Sequence, residues 1–406
     1  MNILFISRNS PFESIGGIER YITNLIDYYK AQSKSKLYLM LPTNGENHTE
    51  ENGNVVIYYD NSIFLPRSSQ GIQKEVSRKA PLFSENVVNI VKKHSIDIIC
   101  AENFHTDLPA VYSLLLNMVA MTLKIPLILQ LHSFATTELQ TEIINQLKWD
   151  RISCVSKSVA GDCFQKGMDI NYLSTHYLGV NTNDFKPSVE KEHNLKKQLN
   201  LPKTTRIILT ATRIIRGKKN ILHEKGVINL IQAFSRLSPR YPNLKLLIAI
   251  GRPPENLTNE YNIAYEMLQG YIKLHNIEDH TILKTFKLNE MPDVYRGSDI
   301  FILPSENETF GQVFIEAMSC GLPVIGTKVG GIPEIISDSY NGYLVVPDDS
   351  SILAQRIEKL LNDKSTRDRF INSGIKTVSE SFTSEKQFSD FHNMLEDIVS
   401  ANSPQN

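Results

Sequence analysis

Short apolar runs alternate with amphipathic stretches along almost the whole chain, and the alternation occurs in two successive series. The runs of the first series are Asn2–Ser7, Lys36–Leu41, Val55–Tyr59, Asp97–Ala101, Pro126–His132 and Arg151–Ser156. Those of the second are Arg206–Thr212, Lys245–Gly251, Thr281–Phe286, Asp299–Pro304, Pro323–Gly326 and Tyr343–Val346. Several are apolar on both faces, as parallel strands covered by helices on two sides must be. Between them Ile18, Tyr21, Ile22, Leu25, Ile26 and Tyr29 repeat at helical spacing, as do Val227, Leu230, Ile231 and Phe234. Two β/α series predict an α/β chain of two doubly wound domains. The polar turn residues of Gly179 to Pro187 mark the junction. The expected division is therefore 1–183, 184–382, and a closing helix and tail at 383–406. On that helix Phe388, Phe391, Met394, Leu395 and Ile398 form one stripe.

Charge and composition remove several classes of function. Forty-three Lys and Arg against forty-four Asp and Glu give a formal charge of -1, without the basic excess of a nucleic-acid binder. The four cysteines, Cys100, Cys154, Cys163 and Cys320, form no CxxC pair, so neither a disulfide framework nor a cysteine zinc site is expected. The ten histidines show no metal-binding spacing. Met1-Asn2 runs directly into a buried-strand pattern rather than a signal peptide. No stretch approaches the ~20 apolar residues of a membrane span. A cytoplasmic protein is expected, with at most a peripheral contact at the inner face of a membrane. The segment Asn61 to Pro81, with Arg67, Lys74, Arg78 and Lys79, reads as a solvated loop and helix in preference to an acceptor or phospholipid surface.

The densest chemical signal begins at Ser305. A buried strand ends in Ser-Glu-Asn-Glu308-Thr-Phe-Gly311-Gln-Val-Phe-Ile-Glu316. Thr309 and Gln312 have the spacing of a capping box, which predicts a helix starting there. Its N–H groups and dipole would point out of the carboxyl edge of the sheet, where a diphosphate can sit. Gly311 permits close approach of a ligand to the backbone. Glu308 falls in the loop at the helix mouth. Glu316 falls in the second turn, where a carboxylate can accept two hydroxyl hydrogen bonds from a ribose.

The run Glu308-x7-Glu316, then Ala-Met-x-Cys-Gly-x-Pro-Val, Gly330-Gly331-x-x-Glu334 and Asn341-Gly342-Tyr-Leu-Val, resembles the C-terminal signature of the retaining GT-B glycosyltransferases of the family 4 type. That group contains sucrose synthases and many bacterial polysaccharide, glycolipid and mannosyl transferases. The resemblance implies two Rossmann-like domains facing a central cleft, a nucleotide-sugar donor (a UDP-sugar by preference), and a small-molecule, lipid-linked or glycan acceptor. It implies Glu308 together with the backbone of Thr309, Phe310, Gly311 and Gln312 at the sugar and diphosphate, and Glu316 at the ribose. In the N-terminal half, Gly16-Gly17 and Glu19 resemble the family's Gly-Gly-x-Glu loop, which faces the donor diphosphate. His132 resembles the histidine that touches the transferred sugar.

Arg213 matches the family's first phosphate cation. The lysine expected five residues later, followed by glycine, has two candidates. Lys218 has the spacing but precedes Lys219; Lys225 precedes Gly226 and the expected helix. An insertion of about seven residues within Ile214–Glu224 favours Lys225, with Lys218 as the fallback. Such a cationic pair would neutralise the leaving diphosphate, so no cofactor and no metal are expected. The rival readings are a nucleotide-sugar epimerase of the same fold and a non-catalytic nucleotide-sugar-binding subunit.

Overall fold

The computed structural model describes residues 1–10, 16–31, 34–63, 72–188, 194–214, 221–251 and 257–402. Arg67 and Lys218 lie outside the described residues. Two compact units are present, one of Met1–Glu13, Ile18–Tyr177 and Glu385–Asn406, the other of Ser14–Gly17 and Leu178–Ser384. The split thus falls at Tyr177/Leu178, ahead of the 183/184 division read from the sequence.

The first unit is built on an eight-stranded sheet. Its strands are β1 (Asn2–Ile6), β2 (Lys36–Pro42), β3 (His48–Asn52), β4 (Val55–Asp60), β5 (Ile98–Glu102), β6 (Leu127–Leu131), β7 (Arg151–Cys154) and β8 (Leu173–Thr175). The order is β3-β4-β2-β1-β5-β6-β7-β8, parallel throughout except for the edge pair β3–β4. All six runs read from the sequence are strands; β3 and β8 are additions. The helix Ser384–Asn402 closes this unit, with Phe388, Phe391, Leu395 and Ile398 buried. Phe388 packs on Tyr21 and Tyr28, with ring centroids 5.2 and 5.5 Å apart. Burying each such side chain contributes roughly 1.5–3 kcal/mol, which is why the amphipathic stripe folds back on the first unit.

The second unit has a six-stranded, wholly parallel sheet: β9 (Arg206–Thr212), β10 (Leu244–Gly251), β11 (Thr281–Phe286), β12 (Ile300–Leu303), β13 (Val324–Thr327) and β14 (Tyr343–Val345). The order is β11-β10-β9-β12-β13-β14. Its core joins β9, β10 and β12 to the helix Val227–Leu237 through Ile208, Leu230, Ile231, Phe234, Ile248 and Ile302.

Among the parallel strands the order reverses between β1 and β5 in the first sheet and between β9 and β12 in the second. Crevices outside the carboxyl ends of strands at such a reversal are where open α/β sheets bind ligands. No described helix is long and apolar enough to cross a membrane. All four cysteines are free and buried.

Candidate active site

In the second unit, β9 and β12 end at the reversal, and the residues that follow them carry the predicted chemistry. Thr212 ends β9, and Arg213 follows it with an exposed side chain and, among the described residues, no ion-pair partner. After residues 215–220 the chain returns in a short helix, Ile221–Glu224, and Lys225. Gly226 then opens the helix Val227–Leu237 at φ +64°. A Cβ at Gly226 would stand 1.8 Å from the Pro304 carbonyl oxygen, at the end of β12. Only glycine fits, on both counts. Two residues away along each segment, the Glu306 N–H donates to the Glu224 carbonyl at 2.9 Å.

This stitching delivers Lys225 to Glu308. The Lys225 Nζ donates to Glu308 Oε2 at 3.0 Å, with the two side chains 24% and 16% exposed. Lys225 thus stands beside the carboxylate of the motif, while Lys218 lies outside the described residues.

The loop bearing Glu308 is held from its other side by the Gly330-Gly331 turn. The Gly331 N–H donates to the Glu308 carbonyl at 3.0 Å. Gly330 has φ +50°, and a Cβ there would lie 1.7 Å from that same oxygen. The glycine pair of the signature is thus a backbone clamp on the loop. Thr327 Oγ1 adds a hydrogen bond to the Ser305 carbonyl.

The helix that follows is Gln312–Ser319. The capping box expected of Thr309 and Gln312 does not form. Gly311, at φ +101°, is the N-cap, and no side chain caps this end. Gln312 instead turns its Nε2 to the Gly179 carbonyl at 3.4 Å. An uncapped N-terminus leaves its positive end and first-turn N–H groups to be met by an anion. Glu316, buried in the second turn, accepts a 2.9 Å hydrogen bond from Tyr295 Oη. Tyr295 lies on the helix Met291–Arg296, and no local sequence pattern announced it.

The first unit has a second polar cluster, at its own reversal. Ser7 follows β1, Glu102 ends β5, and His132 follows β6. Ser7 Oγ donates to Glu102 Oε2 at 2.6 Å. Asn9 Nδ2 bridges Glu102 Oε2 and Asp107 Oδ2, at 3.5 and 2.8 Å. The His132 N–H donates to Asn103 Oδ1 at 2.8 Å, and its ring packs edge-on against Tyr21. His132 is buried, and desolvation, with His105 nearby, pushes its imidazole down to about 3. It is therefore neutral at physiological pH. Sequence reading named His132 but not Glu102, whose signal was a lone acidic residue ending an apolar strand. Gly16 precedes, and Gly17 begins, the helix Gly17–Ala31, as the glycine motif implied.

Comparison with known proteins agrees with this layout. Residues 15–184 match the model for Glycosyltransferase Family 4, and residues 191–377 that for Glycosyl transferases group 1. The chain belongs to the family 4 type of glycosyltransferases. It is 33% identical over 205 residues to an N-acetyl-alpha-D-glucosaminyl L-malate synthase of Bacillus anthracis, covering 50% of this chain and 49% of that protein. It is 30% identical to the capsular polysaccharide biosynthesis glycosyltransferase CapM of Staphylococcus aureus, over 41% of each. The chain spans about half or less of the length of these curated relatives. Its fold matches the sucrose-phosphate synthase of Thermosynechococcus elongatus, with TM-score 0.79, 20% identity and coverage of 98% and 99% of the two chains. It also matches Anabaena HepE in complex with UDP and glucose, with TM-score 0.73, 20% identity and coverage of 97% and 99%. The GT-B expectation for fold is met.

Proposed function

We propose that this family member transfers a hexosyl or N-acetylhexosaminyl group from a UDP-sugar to an acceptor hydroxyl, with retention at the anomeric carbon and without a required metal. The observation that carries the reading is the Lys225–Glu308 pair, fixed beside an uncapped helix N-terminus at the strand reversal of the second unit. A uridine donor is taken from the HepE complexes of the same fold.

Arg213, Lys225 and the backbone around Phe310 and Gly311 would hold the diphosphate; Lys218 is the alternative cation. Glu308 would hold sugar hydroxyls, and Glu316 the ribose. His132 would meet the transferred sugar as a neutral donor, so that it adds no positive charge against the developing oxocarbenium. The C1–O bond to the diphosphate breaks as the acceptor oxygen bonds to C1 from the same face. The acceptor's proton passes to the departing phosphate oxygen. Charge grows on the diphosphate as the bond stretches, so cations placed there favour the transition state over the ground state.

Titration calorimetry with UDP tests the donor half directly. Wild type should bind, and Glu316→Ala should lose roughly 1.5–3 kcal/mol, the worth of a charge-assisted hydrogen bond. An unchanged UDP affinity in that variant, with the fold intact, removes the ribose assignment.

A further inference from the structure

We propose that Glu102 is a positioning residue for His132, holding imidazole Nε2 through carboxyl oxygen Oε1 so that Nδ1 keeps the ring's proton as the donor left for the sugar. The inference rests on the sugar-contact role of His132 above.

Three buried atoms argue for it. Glu102 Oε1, His132 Nε2 and His132 Nδ1 are each without a hydrogen-bond partner, although Glu102 is fully buried and His132 nearly so. Leaving such groups unmet is costly, so they are expected to be satisfied in the working state. Oε1 and Nε2 lie 4.0 Å apart, and an approach of about 1 Å makes the bond. Hydrogen bonds in active sites are commonly long before ligand binds and tighten in the complex.

Protonation fits this arrangement. Burial, and then the nearby Asp107, hold the Glu102 carboxyl well above the usual carboxylate range against the lowering effect of its hydrogen bonds from Ser7 and Asn9, which favours the protonated form. Its Oε2 already accepts from Ser7 and Asn9, which leaves Oε1 to bear that proton. His132 is neutral and has one bare ring nitrogen to receive it. An O–H of Glu102 donating to Nε2 places the imidazole proton on Nδ1. No proton is gained or lost; the pair only fixes where each one sits. The cluster also stands at the β1/β5 reversal, the place where a sheet of this kind meets its ligand.

Glutamine at 102 reproduces the proposed state. Its carbonyl oxygen can take the Ser7 and Asn9 hydrogen bonds while its amide N–H donates to Nε2. Aspartate, one methylene shorter, withdraws the group from the ring. Hydrolysis of UDP-glucose is the assay, with UDP affinity and melting temperature as controls. Glu102→Asp and Glu102→Ala are expected to fall about ten-fold in rate, and Glu102→Gln to stay within about three-fold of wild type. UDP affinity should be unchanged in all of them. Adding Glu102→Ala to His132→Ala should cost nothing further, since the effect runs through the ring. A glutamine variant as impaired as the aspartate one, or an additive double variant, overturns the proposal. If the alanine variants do not fold, the comparison of Gln with Asp decides. Should His132→Ala itself be silent, the sugar-contact role falls, and this inference with it. If His132→Ala is impaired while Glu102→Asp is silent, only this inference falls.

Discussion

The Lys225–Glu308 ion pair sets up a test whose two arms have opposite signs. If Lys225 grips the diphosphate, the incoming donor must draw it from a carboxylate that already holds it at 3.0 Å. Glu308→Gln keeps the side chain's shape and removes that competition. A partly exposed pair is worth at most about 1 kcal/mol, so UDP should bind up to about five-fold more tightly to this variant. Its turnover should nevertheless fall, because the sugar loses a charged partner. Lys225→Ala deletes a charged hydrogen bond to the ligand, worth roughly 1.5–3 kcal/mol, and should weaken UDP by about ten- to a hundred-fold. Combining the two should match Lys225→Ala alone, since the gain from Glu308→Gln needs the lysine. Lys218→Ala should be silent. Calorimetric titration of UDP into the four proteins reads every arm. The reasoning is refuted if Glu308→Gln weakens UDP binding, or if Lys225→Ala spares it while Lys218→Ala does not.

Other expected outcomes follow from the same geometry. Gly226→Ala places a Cβ against the Pro304 carbonyl at a left-handed backbone position, so thermal unfolding should show a clear loss of stability, of about 1–3 kcal/mol or more, with UDP binding impaired in the protein that still folds. Arg213→Ala should cut turnover by ~10²–10³-fold while changing UDP affinity much less, because the cation acts on charge that grows in the transition state; equal losses in both would reassign it to ground-state binding. His105 is buried and pushed down to about 4, and His132 to about 3, so between pH 6.5 and 4 the unfolded chain binds protons that the native one refuses. Native stability from these residues is therefore lost as pH falls through that window, and His105→Gln should show a smaller drop in melting temperature between pH 7.5 and 5 than wild type.

The doubly wound architecture was legible because central strands such as Ile3–Ile6 and Ile98–Ala101 are apolar on both faces, a pattern that burial alone imposes. Strand β3 was not legible: His48–Asn52 is polar and exposed along its length, held by backbone pairing to β4 and by surface contacts such as His48 stacked on Tyr59 and Glu51 paired with Lys36. Strand β8 is three half-buried residues, too few for any periodicity. At the candidate site, Glu308, Glu316 and Gly311 share one local stretch and could be found by spacing. What orders them is remote in sequence. Pro304 dictates glycine at position 226, the Glu308 carbonyl dictates it at 330, and Tyr295 reaches Glu316 from another helix. The same holds for Glu102, whose side-chain hydrogen-bond partners Ser7 and Asn9 are 95 and 93 residues away. The capping box failed for a related reason, since Gly311 adopts a positive φ and ends the loop without help from Thr309.

Sugar transfer from a UDP-sugar with retention is the central claim, and it can be read without knowing the acceptor. In the slow reaction where water replaces the acceptor, the protein is incubated with UDP-α-glucose or UDP-α-N-acetylglucosamine, and proton NMR follows the anomeric signals before mutarotation. Release of UDP together with the α-anomer of the sugar is the expected result, and Arg213→Ala should suppress it. Release of the β-anomer would contradict retention, and a protein that binds UDP but never releases a sugar would contradict transfer itself.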